Sequence, residues 1–60
     1  MTMVEAEATA LEIANRVEDA LNGLPTGAPP PARLALIEAR AALLRAADAL
    51  ADAAENPRRG

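Results

Sequence analysis

Residues 32–55 read ARLALIEARAALLRAADALADAAE, and this stretch decides the fold. It contains no Gly or Pro and consists mainly of Ala, Leu, Arg and Glu, which are all strong helix formers. Its large apolar side chains recur at three- and four-residue steps, so they share one side of a helix, while Glu38, Arg45 and Asp52 fall on the other. A long amphipathic helix is therefore predicted. Its apolar stripe consists of Leu36, Ile37, Leu43, Leu44, Ala47, Leu50, Ala51 and Ala54.

Alanines form a second surface of the same helix, directly beside the apolar stripe. Their small side chains would let a neighbouring helix approach closely, because the distance between helix axes depends on the side chains at the contact. The stripe and this alanine flank together span well over half of the helix circumference, so a single neighbouring helix covers only part of them. The flank consists of Ala35, Ala39, Ala42, Ala46, Ala49 and Ala53.

The first helix is predicted over residues 3–22. Thr2 and Glu5 have the spacing of a capping box, in which each side chain bonds the backbone N–H of the other residue. Glu12 and Arg16 are spaced for an ion pair on the outer side of this helix. Apolar residues at helical spacing predict a buried stripe of Ala6, Ala10, Ile13, Ala14, Val17 and Leu21.

The connection between the helices is predicted over residues 23–30, GLPTGAPP. Its glycines and prolines favour a stiff, extended segment rather than a helix. We expect Gly23 to end the first helix by taking the left-handed conformation just after the last helical residue. Because so short a connection favours antiparallel neighbours, the two helices are predicted to form a hairpin.

The second helix is predicted over residues 31–55. Pro31 suits its first turn, where a missing N–H costs nothing. Residues 56–60 are predicted to be a frayed tail. Residues 1–60 would then form a single helical-hairpin domain.

The chain is too small to bury a large core by itself. A 60-residue domain buries about 60% of the surface that its unfolded chain exposes, and it usually needs disulfides, a metal or oligomerisation. The chain has no Cys, no His and no aromatic residue, so association remains. We predict an all-α protein, an antiparallel two-helix hairpin that dimerises into a four-helix bundle. The predicted oligomer interface is Ile13, Val17, Leu21, Leu36, Arg40, Leu43, Ala46, Leu50 and Ala53.

Arg40 places a charge within the apolar stripe, between Leu36 and Leu43. A charge at such a position is unfavourable unless it is paired. The structural interpretation is an ion pair with Glu18 or with a carboxylate of a second protomer, or a side chain that extends to the edge of the bundle. The functional interpretation is a specificity anchor for a partner, because Arg is enriched at interface hot spots.

Three further charges lie where the helices meet the connection. Glu18 and Asp19 lie near the C-terminal end of the first helix, and Arg33 lies near the N-terminal end of the second. Each has the unfavourable sign for the helix dipole at its end. Since an antiparallel hairpin brings these ends together, the charges are predicted to compensate one another and to help set the register.

Composition and motifs argue against catalysis, membranes and nucleic acid. The net charge of -3 and the pI near 4.6 do not attract phosphate backbones or anionic lipid. There is no Gly-rich phosphate loop, metal-ligand cluster or nucleophile motif, so we predict no enzymatic activity, cofactor or metal. No apolar run approaches the ~20 residues of a membrane span. Basic residues that are all Arg, with abundant Ala, indicate a GC-rich genome, and we expect a bacterial protein of the cytoplasm.

The predicted function is a small homo-oligomeric protein–protein interaction module, which acts as a scaffold, an adaptor or a partner-neutralising protein. Its first partner is a second copy of itself, and a different protein is the alternative partner. Two alternatives remain. An accessory subunit would fold only with a different protein. A nucleic-acid-associated regulator would bring its arginines to one face of the dimer, namely Arg16, Arg33, Arg45, Arg58 and Arg59.

Overall fold

The protein is a hairpin of two long helices. The structure, a computed structural model, describes residues 1–55, and the predicted tail over residues 56–60 lies outside them. Helix α1 spans Met3–Gly23 and helix α2 spans Pro30–Glu55. Residues 1–55 contain no strand, so the predicted all-α hairpin is confirmed.

Helix α1 begins with the predicted capping box. The Thr2 hydroxyl accepts a hydrogen bond from the Glu5 backbone N–H at 3.0 Å, and the Thr2 backbone N–H donates to Glu5 Oε1 at 2.9 Å. Two groups that a helix start leaves without partners are thereby satisfied. The hydrogen bond from the Thr2 backbone N–H to the carboxylate is the main cause that holds the pKa of Glu5 below its usual value, and the Thr2 side chain also lowers it.

Helix α1 ends differently from the prediction for Gly23. Gly23 is the last helical residue and does not take the left-handed conformation. The chain leaves the helix at Leu24, whose φ of -63° and ψ of 137° are extended, while its N–H bonds the Leu21 carbonyl at 3.3 Å. Leu24 precedes Pro25, and the proline ring disfavours helical geometry in the residue before it. Proline, rather than glycine, therefore terminates α1.

The connection is a short turn that leads directly into α2. The Ala28 N–H donates to the Pro25 carbonyl at 3.0 Å, and the Ala32 N–H donates to the Pro29 carbonyl at 3.0 Å. Helix α2 starts at Pro30, one residue earlier than predicted. Both Pro30 and Pro31 fit a first helical turn, because proline has a near-helical φ and first-turn N–H groups have no partner within the helix.

The two helices lie side by side and antiparallel. The Cα atoms fill 48 × 18 × 13 Å, whereas the two helices placed end to end would be about 70 Å long. Their contact is built on small residues, because the buried residues are Ala10, Ala14 and Ala47. No large side chain of residues 1–55 is fully buried. The hairpin therefore has a thin core.

The predicted apolar stripes are only partly covered. Val17, Leu21 and the stripe leucines of α2 are half-buried between the helices. The stripe predictions are wrong for Ile13 and Ile37, which keep 42% and 48% of their surface exposed. Each of these residues lies at an edge of its stripe, and a single neighbouring helix does not reach that far around.

The capping box gives a testable pH dependence. Because the folded pKa of Glu5 is lowered, its contribution to stability is present above the unfolded pKa of about 4.3 and is lost as the pH falls through the folded pKa. We expect an NMR titration to place the Glu5 pKa below the ordinary value for a glutamate. The Thr2→Ala variant loses the hydroxyl but keeps the backbone N–H, so it should move this pKa only part of the way back towards the ordinary value. A Glu5 pKa at or above the ordinary value in the wild-type chain would contradict the assignment.

The end of α1 predicts the sign of a glycine substitution. A Cβ added at Gly23 meets no atom within 4 Å, and the backbone there is helical. Gly23→Ala should therefore raise the free energy of unfolding by about 0.4–1 kcal/mol, because it removes freedom from the unfolded chain. Gly27→Ala is the comparison, since it removes the same freedom from the unfolded chain but lies in the turn and gains no helix propensity, so it should raise the free energy of unfolding by less. Chemical denaturation measures both, and a loss of stability at position 23 would indicate a left-handed glycine.

Candidate interaction surface

An ion pair joins the two helices. Arg40 Nε donates a hydrogen bond to Glu18 Oε1 at 3.1 Å, which confirms the first of the predicted pairings of Arg40. The side chains of Arg40 and Glu18 keep 43% and 49% of their surface exposed, so both retain much of their hydration. A pair this exposed contributes at most about 1 kcal/mol. It sets the register of the hairpin more than it stabilises it.

Glu18 thus pairs with Arg40 and not with Arg33, the partner expected from the positions of the helix ends. No basic residue lies in the last turn of α1 and no acidic residue in the first turn of α2. Neither helix end is therefore compensated by charges of its own helix.

The ion pair marks one face of the hairpin. Leu11 precedes Glu18 by seven residues and so lies on the same flank of α1, with an exposed side chain. Ile37 and Leu44 lie within one helical turn of Arg40, on the flank of α2 that faces the same way. We call this side the acidic face. It carries four carboxylates and two guanidinium groups, those of Glu7, Glu18, Asp48, Glu55, Arg33 and Arg40.

The opposite face is rich in alanine, and among residues 1–55 it also carries the charge of Arg16. Ile13 lies five residues before Glu18, about 140° around α1, and Ala46 lies six residues after Arg40, about 120° around α2. Both therefore lie on the side of the hairpin away from the acidic face. Arg16 follows Ile13 by three residues and Thr9 by seven, so it lies on the same side of α1. We call this side the alanine face. It consists of Ala6, Thr9, Ile13, Arg16, Ala20, Ala35, Ala39, Ala42, Ala46, Ala49 and Ala53.

Charged residues lie on and beside the alanine face. On α1, Arg16 donates a hydrogen bond from Nη2 to Glu12 Oε1 at 3.3 Å, which is the predicted outer pair. On α2, Glu38 and Arg45 are exposed along the other edge. The alanine face therefore combines small side chains with charged residues on it and at its edges.

The structure divides the predicted oligomer interface into three groups. Val17, Leu21, Leu36, Leu43 and Leu50 lie half-buried between the two helices of one chain. Arg40 belongs to the acidic face. Three members lie on the alanine face, where Ile13 and Ala46 are exposed and Ala53 is half-buried.

Three exposed branched aliphatic side chains were missed by the sequence reasoning. Val4, Leu11 and Leu34 belong to neither predicted stripe, and they keep 63%, 41% and 55% of their surface exposed. Their positions outside the main apolar period were the signal that could have identified them as surface residues. Scattered exposed leucines are common, so each of them alone indicates no function.

Three other observations bear on function. Within residues 1–55, no group of His, Cys, Asp and Glu side chains could hold a metal ion. Neither of the helices in that range is long and apolar enough to cross a membrane. No protein-family model, curated protein or solved structure matches this chain. We therefore argue the function from the surface of the hairpin.

The Arg40 pair gives a testable prediction. Arg40→Leu should leave the melting temperature unchanged or raise it, because the exposed pair contributes little and a leucine extends the apolar stripe. It should also alter the oligomeric state or the choice of partner. Glu18→Gln is the control, since it removes the pairing charge and leaves the arginine. A large fall in the melting temperature of Arg40→Leu, followed by circular dichroism, would contradict this assessment.

Proposed function

We propose that this protein is a non-catalytic, homo-oligomeric helical interaction module of the cytoplasm, whose hairpins dimerise into a four-helix bundle. The observation that carries the proposal is the thin core of the single chain. Its buried residues are Ala10, Ala14 and Ala47, while no leucine, isoleucine or valine of residues 1–55 is buried.

The energetics favour burial of the exposed apolar side chains by further helices. Fully burying one leucine or isoleucine side chain contributes about 1.5–3 kcal/mol, whereas a whole domain has a net stability of about 5–15 kcal/mol. Several such side chains are half-buried along the helix contact, and others are exposed. Covering a few of them would change stability by an amount comparable to that of the whole domain.

The arginines favour protein over nucleic acid as the partner. Arg16 is paired with Glu12 and Arg40 with Glu18. Arg33 and Arg45 are twelve residues apart, which places them about 18 Å apart along α2 and about 120° apart around it. A basic patch for phosphate contacts would need these side chains on one surface.

A dimer of this kind would serve as a scaffold, as an adaptor, or as a protein that neutralises a partner by covering it. Each role needs a rigid, self-associated bundle that leaves further helix faces accessible. The exposed side chains of the alanine face would supply such a surface after dimerisation.

The proposal predicts the molar mass of the purified chain. Size-exclusion chromatography with light scattering should give twice the 6.2 kDa of one chain, or a higher multiple, with strongly helical circular dichroism. A well-folded species of 6.2 kDa would overturn the proposal. A monomer of low helicity would overturn it as well, and would indicate an accessory subunit that folds with a different protein.

A further inference from the structure

We propose that two copies of this chain associate through their acidic faces in opposite directions, so that the two α2 helices lie antiparallel with Leu44 opposite Leu44. The connection of each hairpin then lies beside the open end of the other, where α1 begins and α2 ends. This inference rests on the proposed self-association and adds the surface and the orientation that it uses. The occupant of the acidic face is the same face of a second copy, as two-fold symmetry requires.

The charges of α2 are arranged symmetrically about Leu44 with opposite signs. Arg40 lies four residues before Leu44 and Asp48 lies four residues after it, while Arg33 and Glu55 are each eleven residues away. All four charges lie within about 40° of Leu44 around the helix, so they share one strip of its surface. Two such helices laid antiparallel at Leu44 place each arginine opposite a carboxylate of the other copy. The face is therefore complementary in charge to itself.

These charges are available for partners in a second copy. Within residues 1–55, Arg33, Asp48 and Glu55 form no ion pair in the hairpin. Arg40 donates one hydrogen bond, from Nε to Glu18, whereas a guanidinium has five N–H donors. Its remaining donors can bind Asp48 of the second copy while the pair with Glu18 is kept. A charge that loses its water at an interface needs such partners.

Apolar side chains lie between the charges of the same strip. Ile37 and Ala51 are each seven residues from Leu44, so the isoleucine of one copy faces the alanine of the other. A large side chain opposite a small one suits helices that interdigitate. Ile37 and Leu11 keep 48% and 41% of their surface exposed, and Leu44 is half-buried. Association would cover these side chains, and burial of apolar surface is the main favourable term in most protein association.

The charges also decide the relative direction of the two copies. The half of the acidic face near the open end carries three carboxylates, and the half near the connection carries two arginines and one carboxylate. Copies that run in the same direction would stack the three carboxylates of one on those of the other. Copies that run in opposite directions place each acidic half on the half with a net positive charge. Like charges juxtaposed across an interface are unfavourable, so the antiparallel arrangement is favoured.

Disulfide formation tests the register of the two α2 helices. The chain has no cysteine, so Leu44→Cys introduces one thiol at the two-fold axis. Under mild oxidation, where the wild-type chain is dimeric, we expect Leu44→Cys to form a covalent dimer at least about tenfold faster than Ile37→Cys. The two thiols at position 37 would be fourteen residues apart along the contact, about 21 Å, which is too far for a disulfide. A mixture of Ile37→Cys and Ala51→Cys should cross-link, because the register places these positions opposite each other.

Charge reversal tests the surface without changing a half-buried side chain. Asp48 is exposed, and Asp48→Lys places a lysine opposite Arg40 of the other copy at two symmetric positions. We expect the dissociation constant of the dimer to rise at least about tenfold. Asp19→Lys is the matched control, since it makes the same change of charge nine residues after the buried Ala10, on the outer side of α1. It should change the dissociation constant by less than about twofold.

The outcomes separate this inference from the proposed function. In a demonstrated dimer, cross-linking of Ile37→Cys as fast as that of Leu44→Cys would overturn the register. An effect of Asp48→Lys no larger than that of Asp19→Lys would overturn the choice of surface. Either result would leave self-association standing. A folded monomeric wild-type chain would overturn both proposals.

Discussion

The contact between α1 and α2 is built on alanine, and the rest of the structure depends on this. Ala10, Ala14 and Ala47 let the two helices approach closely, but each buries little apolar surface. The larger side chains are displaced to the sides of the contact, where they stay half-buried or exposed. A hairpin built in this way has a thin core, and we propose that its stability depends on what covers its outer surfaces.

Charge separates those outer surfaces into two kinds. The ion pair of Glu18 with Arg40 bridges the helices on one side, and further carboxylates accompany it there. The other side consists mostly of alanine and carries the charge of Arg16. We propose that these exposed surfaces bind a second copy of the chain or a different protein.

Much of the fold was predictable from the sequence, because short-range rules decide it. The capping box of Thr2 and Glu5, both ion pairs and the extent of both helices to within one residue depend on residues three or four positions apart or on simple hairpin register. Gly23 was mispredicted because the proline two residues later controls where the helix ends. The exposure of Ile13 and Ile37 was not predictable, since helical spacing does not tell how far around the stripe a neighbour reaches. The acidic and alanine faces could be assigned only from the structure, because the Glu18–Arg40 pair shows how the two helices are rotated relative to each other.

The dependence of the melting temperature on protein concentration tests the central claim most directly, since folding coupled to association must respond to mass action. If a single hairpin cannot cover its own apolar surface, the midpoint of thermal unfolding should rise steadily as the concentration is raised a hundredfold. A cooperative transition whose midpoint is the same at every concentration would show that one chain is stable alone, and would contradict the account.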